Sequence, residues 1–252
     1  MKLKSLGFAL AMGGLVLAST AGMAAAQETY RVGSTPSGVP FTFLDVETNQ
    51  IQGVMVDIIE AVGEEAGFKT EVQATQWSAL IPSLTSDKID IIAAAMYATA
   101  ERAKVVAFSN PVYSYGEGLF VSKDDTKEYR TLDDLEGAVA GVQVDTAYVE
   151  PLQKSGKFKE VRVYDTIADI MRDVALGRID AGFGDRPIVA YQLSKGASDV
   201  RLVKDYESTM TGDVAIAVRQ EDEALLTQIN EALEKVKASG EIDKIVAKWN
   251  IE

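Results

Sequence analysis

The feature that most constrains the fold of this 252-residue chain is an alternation of short apolar strands with amphipathic helices. In the first half, strands are predicted at 30–33, 68–72 and 89–94, and helices at 54–67 and 78–86. The helices carry apolar residues at helical spacing, whereas the strands are short and rich in β-branched residues. Such an alternation is typical of an α/β domain with a largely parallel sheet.

The second half of the chain repeats this theme. Strands are predicted at 138–144, 161–164, 179–184 and 214–218, and helices at 166–176 and within 224–250. The segment 87–91 (DKIDI) parallels the segment 177–181 (GRIDA), and each follows a predicted helix and leads into a strand. We therefore predict two similar α/β lobes rather than one large domain.

The N-terminal segment has the pattern of an export signal. Lys2 and Lys4 precede an apolar stretch at 6–18, and small residues at 24–26 fit a cleavage site after Ala26. A membrane anchor is the competing interpretation, but the apolar stretch is shorter than the roughly 20 residues that a span needs. We predict a signal peptide over residues 1–26 and an exported mature chain.

Composition excludes several kinds of chemistry. The formal net charge is −13, which disfavours nucleic acid and anionic lipid as partners. Cysteine and histidine are both absent, so thiol nucleophiles, thiolate metal sites and Ser–His–Asp catalysis are impossible. We predict no metal, no cofactor and no nucleic-acid partner.

The segment 93–102 (AAAMYATAER) is the strongest candidate for a binding site. Its small residues follow a predicted buried strand and allow close approach to another group. Thr99 can cap a new helix, and Arg102 then lies in the first turn, beside N–H groups without helical partners. A strand end, free N–H groups and a guanidinium together suit a small carboxylate. The alternative is a strand–loop–helix whose arginine faces water.

Seven short segments, in order along the chain, carry a family resemblance. They are 40–41 (PF), 53–57 (GVMVD), Trp77 with 81–84 (IPSL), 99–102 (TAER), 107–113 (AFSNPVY), 177–181 (GRIDA) and 248–249 (KW). Behind a predicted signal peptide, they make the chain resemble the polar amino-acid-binding family of extracytoplasmic solute-binding proteins of bacterial ABC importers. The resemblance extends over essentially the whole mature chain.

The resemblance implies a two-lobed α/β periplasmic-binding-protein fold, in which each lobe is a mostly parallel sheet flanked by helices. Two crossing hinge strands join the lobes, and the ligand is trapped in the cleft when they close. Lobe 1 is expected to comprise 27–114 and 216–252, and lobe 2 to comprise 115–215. The implied protein is a monomeric periplasmic receptor that is not an enzyme and delivers a small zwitterion to ABC permease subunits.

The resemblance also implies a ligand site. Arg102 would grip the α-carboxylate with support from N–H groups near Tyr97 and Thr146, and Asp185 would take the α-ammonium. An alternative role for Asp185 is to cap a helix after a strand. The remaining residues expected at the site are Trp77, Ala95, Phe41 and Ala147. Trp77 could instead be a core residue.

Several positions depart from the family pattern. Thr35 and Gly38 stand where an acidic residue and an aromatic platform are common, so a cationic side chain lacks a partner. Tyr97 replaces a small hydroxyl residue, Asp145 a glycine and Arg186 a small residue; the last two could pair or could be surface charges. We therefore predict a neutral, compact zwitterion as ligand, in preference to lysine, arginine or histidine.

Two other functions are compatible with the same fold. A few relatives catalyse elimination from cyclic carboxylates, and such a dehydratase-like enzyme would need a general acid or base in the cleft. The sequence offers Asp145, Asp185 and Glu117, none of which lies in a recognisable catalytic motif. The other alternative is a sensor lobe or an interaction protein.

Overall fold

The computed structural model describes residues 27–196 and 199–251; the predicted signal peptide and its cleavage site after Ala26 lie outside these residues. The strands are β1 (Thr29–Ser34), β2 (Ser37–Gly38), β3 (Thr42–Asp45), β4 (Gln50–Gln52), β5 (Lys69–Ala74), β6 (Ile91–Ile92), β7 (Val106–Phe108), β8 (Tyr113–Ser122), β9 (Val139–Gln143), β10 (Glu160–Tyr164), β11 (Ala181–Asp185), β12 (Val200–Leu202), β13 (Thr211–Val214) and β14 (Ala217–Arg219). The helices are α1 (Val54–Ala66), α2 (Leu80–Thr85), α3 (Val149–Lys154), α4 (Ile167–Ala175), α5 (Arg186–Ser194), α6 (Glu223–Ala238) and α7 (Glu241–Lys248). Within the described ranges, no helix has the length and apolar character needed to cross a membrane.

Two sheets, each flanked by helices, form the two lobes. In lobe 1 the strand order is β5-β1-β6-β14-β7, and in lobe 2 it is β10-β9-β11-β8-β12. The strands β1, β5 and β6 are parallel, as are β9, β10 and β11, whereas β14 and β8 run antiparallel to their neighbours. The predicted two-lobed α/β fold is confirmed, but each sheet is mixed rather than mostly parallel, because the chain enters and leaves lobe 2 through antiparallel strands.

Two adjacent strands connect the lobes. The chain leaves lobe 1 after β7, enters lobe 2 along β8, and returns along β13 to β14. The strands β8 and β13 pair antiparallel, with Gly116 opposite Thr211 and Tyr113 opposite Val214. This pair has the topology of the expected crossing hinge. The expected lobe boundaries, at 114–115 and 215–216, stay a prediction.

The sequence repeat corresponds to the same structural device in both lobes. In lobe 1 the backbone N–H of Arg31 donates to the Asp90 carboxylate at 3.0 Å, and in lobe 2 that of Val139 donates to the Asp180 carboxylate at 2.7 Å. Each aspartate immediately precedes a strand and joins it to a neighbouring parallel strand: Asp90 joins β6 to β1, and Asp180 joins β11 to β9. Both carboxylates therefore have a structural role.

The helix expected after Thr99 is only a single 3-10 turn, Arg102–Lys104. The Thr99 hydroxyl accepts a hydrogen bond from the backbone N–H of Arg102 at 3.2 Å, so the predicted cap exists. The turn ends at Val105 because β7 begins at the next residue. The predicted helix is therefore reduced to one 3-10 turn, which still holds Arg102 after a buried strand.

Candidate functional site

A small cavity of about 30 Å³ lies between the lobes. All eight residues predicted for the ligand site line it: Arg102, Asp185, Thr146, Tyr97, Trp77, Ala95, Phe41 and Ala147. They come from strand ends and loops of both lobes, in keeping with the rule that ligands of α/β sheets bind outside the carboxyl ends of the strands. The cavity has room for only about two or three water molecules. An amino acid can therefore enter only when the lobes or the lining side chains move apart.

Arg102 bridges the two lobes on one side of the cavity. Its guanidinium donates to the carbonyl oxygen of Tyr97 at 2.9 Å in lobe 1 and to that of Asp145 at 2.7 Å in lobe 2. It also lies over the ring of Trp77, 5.4 Å from the centroid, at a distance that allows a cation–π interaction. Burial lowers the pKa of Arg102, while the nearby Asp185 opposes that shift. The side chain is held in place, and three of its five N–H donors have no part in these two bonds.

Asp185 stands at the end of β11, where α5 begins. It occupies the N-cap position, but its side chain makes no capping hydrogen bond to the helix. The carboxylate instead accepts a hydrogen bond from the Tyr148 hydroxyl at 2.6 Å. Desolvation raises the pKa of Asp185 to about 6, against the lowering effects of Tyr148, Tyr115 and Arg102. The alternative that Asp185 merely caps a helix is therefore wrong.

A line of oxygen atoms, which we call the hydroxyl chain, connects Asp185 to the hinge. It runs from Asp185 Oδ1 to the Tyr148 hydroxyl, then to the Tyr97 hydroxyl at 2.8 Å, and ends at the carbonyl oxygen of Tyr115 at 2.7 Å. Tyr148 belongs to lobe 2, Tyr97 to lobe 1 and Tyr115 to the crossing strand β8. Burial raises the pKa of both Tyr97 and Tyr148 above the usual tyrosine range, so both phenols are protonated.

Two residues facing the cleft have left-handed backbone conformations. Ala95 has φ of 52° and Asp145 has φ of 56°, a region that favours glycine. At Asp145 this conformation turns the carbonyl oxygen toward Arg102 of the opposite lobe. The positive φ fits the glycine that the resemblance implied at this position. Aspartate is among the residues that tolerate this region better than most.

The opposite end of the cavity has neutral polar and aromatic walls. Thr35 and Thr42 are buried, and their hydroxyl oxygens lie 2.6 Å apart. The fully buried Phe41 ring packs 5.6 Å from the ring of Tyr115. Among the described lining residues, Asp185 is the sole acid and Arg102 the sole base. A ligand that uses both for its α-groups therefore finds no further charge for its side chain.

The proposed pairing of Asp145 with Arg186 is wrong. The Arg186 guanidinium donates to the carbonyl oxygens of Lys204 at 2.9 Å and Tyr206 at 3.2 Å. The side chain of Asp145 is exposed, as in the surface-charge alternative. Over the described ranges, no group of three or more acidic residues is arranged to hold a metal ion.

Glu117, a candidate acid for the enzyme alternative, is fully buried away from the cavity lining. Its carboxylate accepts hydrogen bonds from the Tyr206 hydroxyl, the Thr209 backbone and hydroxyl, and the Met210 backbone N–H. These bonds occupy the carboxylate and fix the segment that leads into β13. Glu117 therefore has a structural role in lobe 2.

The sequence analysis missed Tyr148, which is 1% exposed and joins Asp185 to Tyr97. Further lining residues that it did not assign to the site are Ser37, Thr42, Ala94, Gln143, Ile167 and Ile188. The available signal was position, because Tyr148 directly follows Thr146 and Ala147 at the end of a predicted strand. From the sequence alone, Ile167 and Ile188 would be assigned to the hydrophobic core.

The fold and the site together define a class. Two α/β lobes, joined by crossing strands, present a cation from one lobe and an anion from the other to a cavity between them, as in binding proteins that trap a small solute. Residues 30–252 match the bacterial extracellular solute-binding proteins, family 3. This chain belongs to that family, in agreement with the resemblance found in its sequence.

Characterised relatives are similar over nearly their full length. The chain is 31% identical over 237 residues to ABC transporter arginine-binding protein 1 of Escherichia coli (strain K12), covering 93% of this chain and 96% of that protein. It is 29% identical over 262 residues to L-cystine-binding protein TcyJ of the same organism, covering 99% and 97%. A solved structure of an ancestral arginine-binding protein bound to glutamine is similar with a TM-score of 0.79 and 33% identity, covering 88% of this chain and 98% of that one. These relatives are binding proteins, and this chain is a binding protein and not an enzyme.

Proposed function

We propose that this protein binds a free amino acid, or a close zwitterionic analogue, between its lobes and delivers it to an ABC permease. The ligand α-carboxylate binds the Arg102 guanidinium, and its α-ammonium binds the Asp185 carboxylate. The observation that carries the proposal is that these two opposite charges, one from each lobe, face the same cavity. A zwitterion then links the lobes through charge-assisted hydrogen bonds and stabilises the closed form.

The remaining walls favour a neutral and compact side chain. The hydroxyls of Ser37, Thr35 and Thr42 and the amide of Gln143 can hydrogen-bond a polar group, and Phe41 offers an apolar face. A cationic side chain would lose its hydration without gaining an acidic partner, which is costly in a closed cleft. This preference separates the protein from the relatives named for arginine, although a solved structure of an ancestral arginine-binding protein bound to glutamine shows that a neutral amino acid fits this fold.

The proposal includes the cellular setting. Cleavage after Ala26 releases the mature chain into the periplasm, where it acts as a monomer and contacts the permease subunits through its two lobes. The lobes are divided at 114–115 and 215–216, so that closure is a rotation about β8 and β13. Cleavage removes Lys2 and Lys4 but no acidic residue, so the mature chain has a formal net charge of −15, which favours the solubility of such a carrier.

A thermal-shift panel of the twenty L-amino acids tests the proposal. A ligand at 100 times its Kd stabilises the native state by about 2.7 kcal/mol, which raises the melting temperature measurably. We expect one or a few neutral amino acids to raise it, and arginine and lysine to have much smaller effects. A panel without any shift contradicts the function, and a largest shift with arginine contradicts the neutral side chain.

A further inference from the structure

The hydroxyl chain contains more short contacts than hydroxyl hydrogens. Its three O···O distances are 2.6, 2.8 and 2.7 Å, all within hydrogen-bond range. Tyr148 and Tyr97 supply one hydrogen each, and the carbonyl oxygen of Tyr115 can only accept. A third hydrogen must come from the other end of the chain. Asp185 can supply it only when its carboxyl group is protonated.

The two protonation states of Asp185 give different hydrogen-bond patterns. With a proton on Asp185, the carboxyl donates to Tyr148, Tyr148 to Tyr97, and Tyr97 to the carbonyl of Tyr115, so every contact holds a hydrogen. With Asp185 ionised, the Tyr148 hydroxyl donates its hydrogen to the carboxylate. The Tyr97 hydroxyl then has one hydrogen for two contacts, one to the Tyr148 oxygen and one to the Tyr115 carbonyl oxygen. In whichever contact lacks the hydrogen, lone pairs of the two oxygen atoms face each other. Such an unsatisfied contact is costly in a buried network.

We propose that in mildly acidic solution the closed, ligand-free cleft holds a proton on Asp185, and that the ammonium of an entering ligand displaces this proton to solvent. The inference rests on the proposed function, which gives the ligand ammonium to Asp185. The carboxyl O–H bond breaks and its proton goes to water, while the ammonium keeps all its protons and pairs with the carboxylate. Tyr97 does not contact Asp185, and it acts on it as a positioning residue through Tyr148.

The surroundings of Asp185 support this assignment. Burial favours its neutral form and raises its pKa to about 6, and the groups that oppose the shift are Tyr148, Tyr115 and Arg102. The neighbouring charges are engaged elsewhere: Arg186 with two backbone carbonyls, and Glu117 with the segment before β13. The Arg102 guanidinium is itself held by two carbonyl oxygens. We therefore assign titration near pH 6 to Asp185.

An NMR titration of the ligand-free protein tests the hydroxyl chain independently of ligand binding. The carboxyl carbon of Asp185 is followed from pH 4 to pH 8 and is assigned by its loss in Asp185→Asn. In Tyr97→Phe, Tyr148 no longer has to donate to Tyr97 and can bond the ionised carboxylate, so the pKa of Asp185 should fall toward its ordinary value of 3.8. An unchanged or raised pKa overturns the inference.

Tyr113→Phe is the matched control. The Tyr113 ring lies 6.1 Å from the ring of Tyr115, in the same aromatic cluster, but its hydroxyl is not part of the hydroxyl chain. The pKa of Asp185 should remain near 6 in this variant. An equal fall in both variants would attribute the effect to general loosening of the cluster and would contradict the role of Tyr97.

Calorimetry with L-glutamine, and with every amino acid that stabilises the protein, tests the proton displacement. At pH 6, measurements in two buffers of different ionisation enthalpy should show release of about half a proton per ligand, and affinity should fall about ten-fold from pH 7.5 to pH 5. Tyr97→Phe should release fewer protons on ligand binding, and its affinity should depend less on pH. Binding without proton release overturns the inference. Absence of binding by all amino acids contradicts the proposed function instead, and the NMR titration still decides the protonation of Asp185.

Discussion

Arg102 is the residue on which the proposed binding mode depends most. Its position is set by local contacts: the Thr99 hydroxyl holds its backbone, and the carbonyl oxygens of Tyr97 and Asp145 hold its guanidinium. The contacts with Thr99 and Tyr97 lie within lobe 1, so they order the side chain before a carboxylate arrives, which reduces the entropy lost on binding. An arginine fork matches a carboxylate with two parallel hydrogen bonds.

Arg102→Ala should weaken ligand binding by at least about 100-fold. Two charge-assisted hydrogen bonds contribute about 1.5–3 kcal/mol each, and the variant leaves the ligand carboxylate without a partner. Calorimetry with the amino acid selected by thermal shift measures the loss. Arg186→Ala is the control, because that guanidinium bonds two backbone carbonyls outside the cavity lining and its loss should leave affinity within a few-fold of wild type. Near wild-type affinity in Arg102→Ala would remove it from the site.

Asp185 should make the ligand-free protein less stable as pH rises. Its pKa is about 6 in the folded protein and 3.8 ordinarily, so the folded state binds the proton more tightly. The stabilisation is complete below pH 4 and is lost as pH rises through 6, an effect of about 3 kcal/mol. Urea unfolding from pH 4 to pH 7 should show this slope in wild type and a flatter one in Asp185→Asn.

Asp145→Asn is the control for this titration. Its side chain is exposed, and asparagine suits its positive φ of 56°. The variant should keep the wild-type dependence of stability on pH. If Asp185→Asn keeps the same slope as wild type, the carboxyl of Asp185 is not the group that titrates.

At the scale of elements, much of the fold could be predicted from the sequence. Periodicity located β1, α1, β5, β9, α4 and β11, and the DKIDI and GRIDA segments indicated that the lobes are alike. The direction of β7 and β14 could not be predicted, because a three-residue apolar strand carries no signal for parallel or antiparallel pairing. That the helix expected after Thr99 is only one 3-10 turn could not be predicted for a similar reason, since its length depends on where β7 pairs.

The candidate site followed from strand ends, with one important exception. The predicted residues after β6, β9 and β11 line one cavity, because carboxyl ends of parallel strands share one edge of a sheet. Tyr148 was missed because its hydrogen-bond partners, Asp185 and Tyr97, lie 37 and 51 positions away from it in the sequence. Only the packing of the two lobes brings those hydroxyls together, and no local pattern encodes it.

Asp90 and Asp180, which precede β6 and β11, should differ in their contribution to stability. Asp90 accepts from the backbone and side chain of Arg31 and from Arg219, and hydrogen bonds from Arg31 are the main reason that its pKa is lowered to about 2. Its stabilisation is present above pH 4 and is lost as pH falls toward 2. Asp180 accepts the corresponding backbone hydrogen bond, from the N–H of Val139. Measured by urea unfolding at pH 7, Asp90→Asn should cost about 2 kcal/mol and Asp180→Asn about 1 kcal/mol. Equal costs would show that the arginine contacts add nothing.

At the scale of the whole molecule, the structure is a closed form held by direct contacts between the lobes. The bond from Arg102 to the Asp145 carbonyl and the bond between Tyr148 and Tyr97 both cross the cleft. Because the enclosed cavity is only about 30 Å³, ligand entry requires opening, and the crossing strands β8 and β13 are the natural hinge. A ligand that bonds both lobes shifts the population toward closure.

The most direct test of the account is calorimetry with three forms of one ligand. The amino acid that gives the largest thermal shift is compared with its amine lacking the carboxylate and its acid lacking the ammonium. The account predicts binding of the intact zwitterion and a loss of at least about 100-fold for each truncated form, because each leaves Arg102 or Asp185 without its partner. Retention of affinity by either truncated form would contradict the clamp between Arg102 and Asp185.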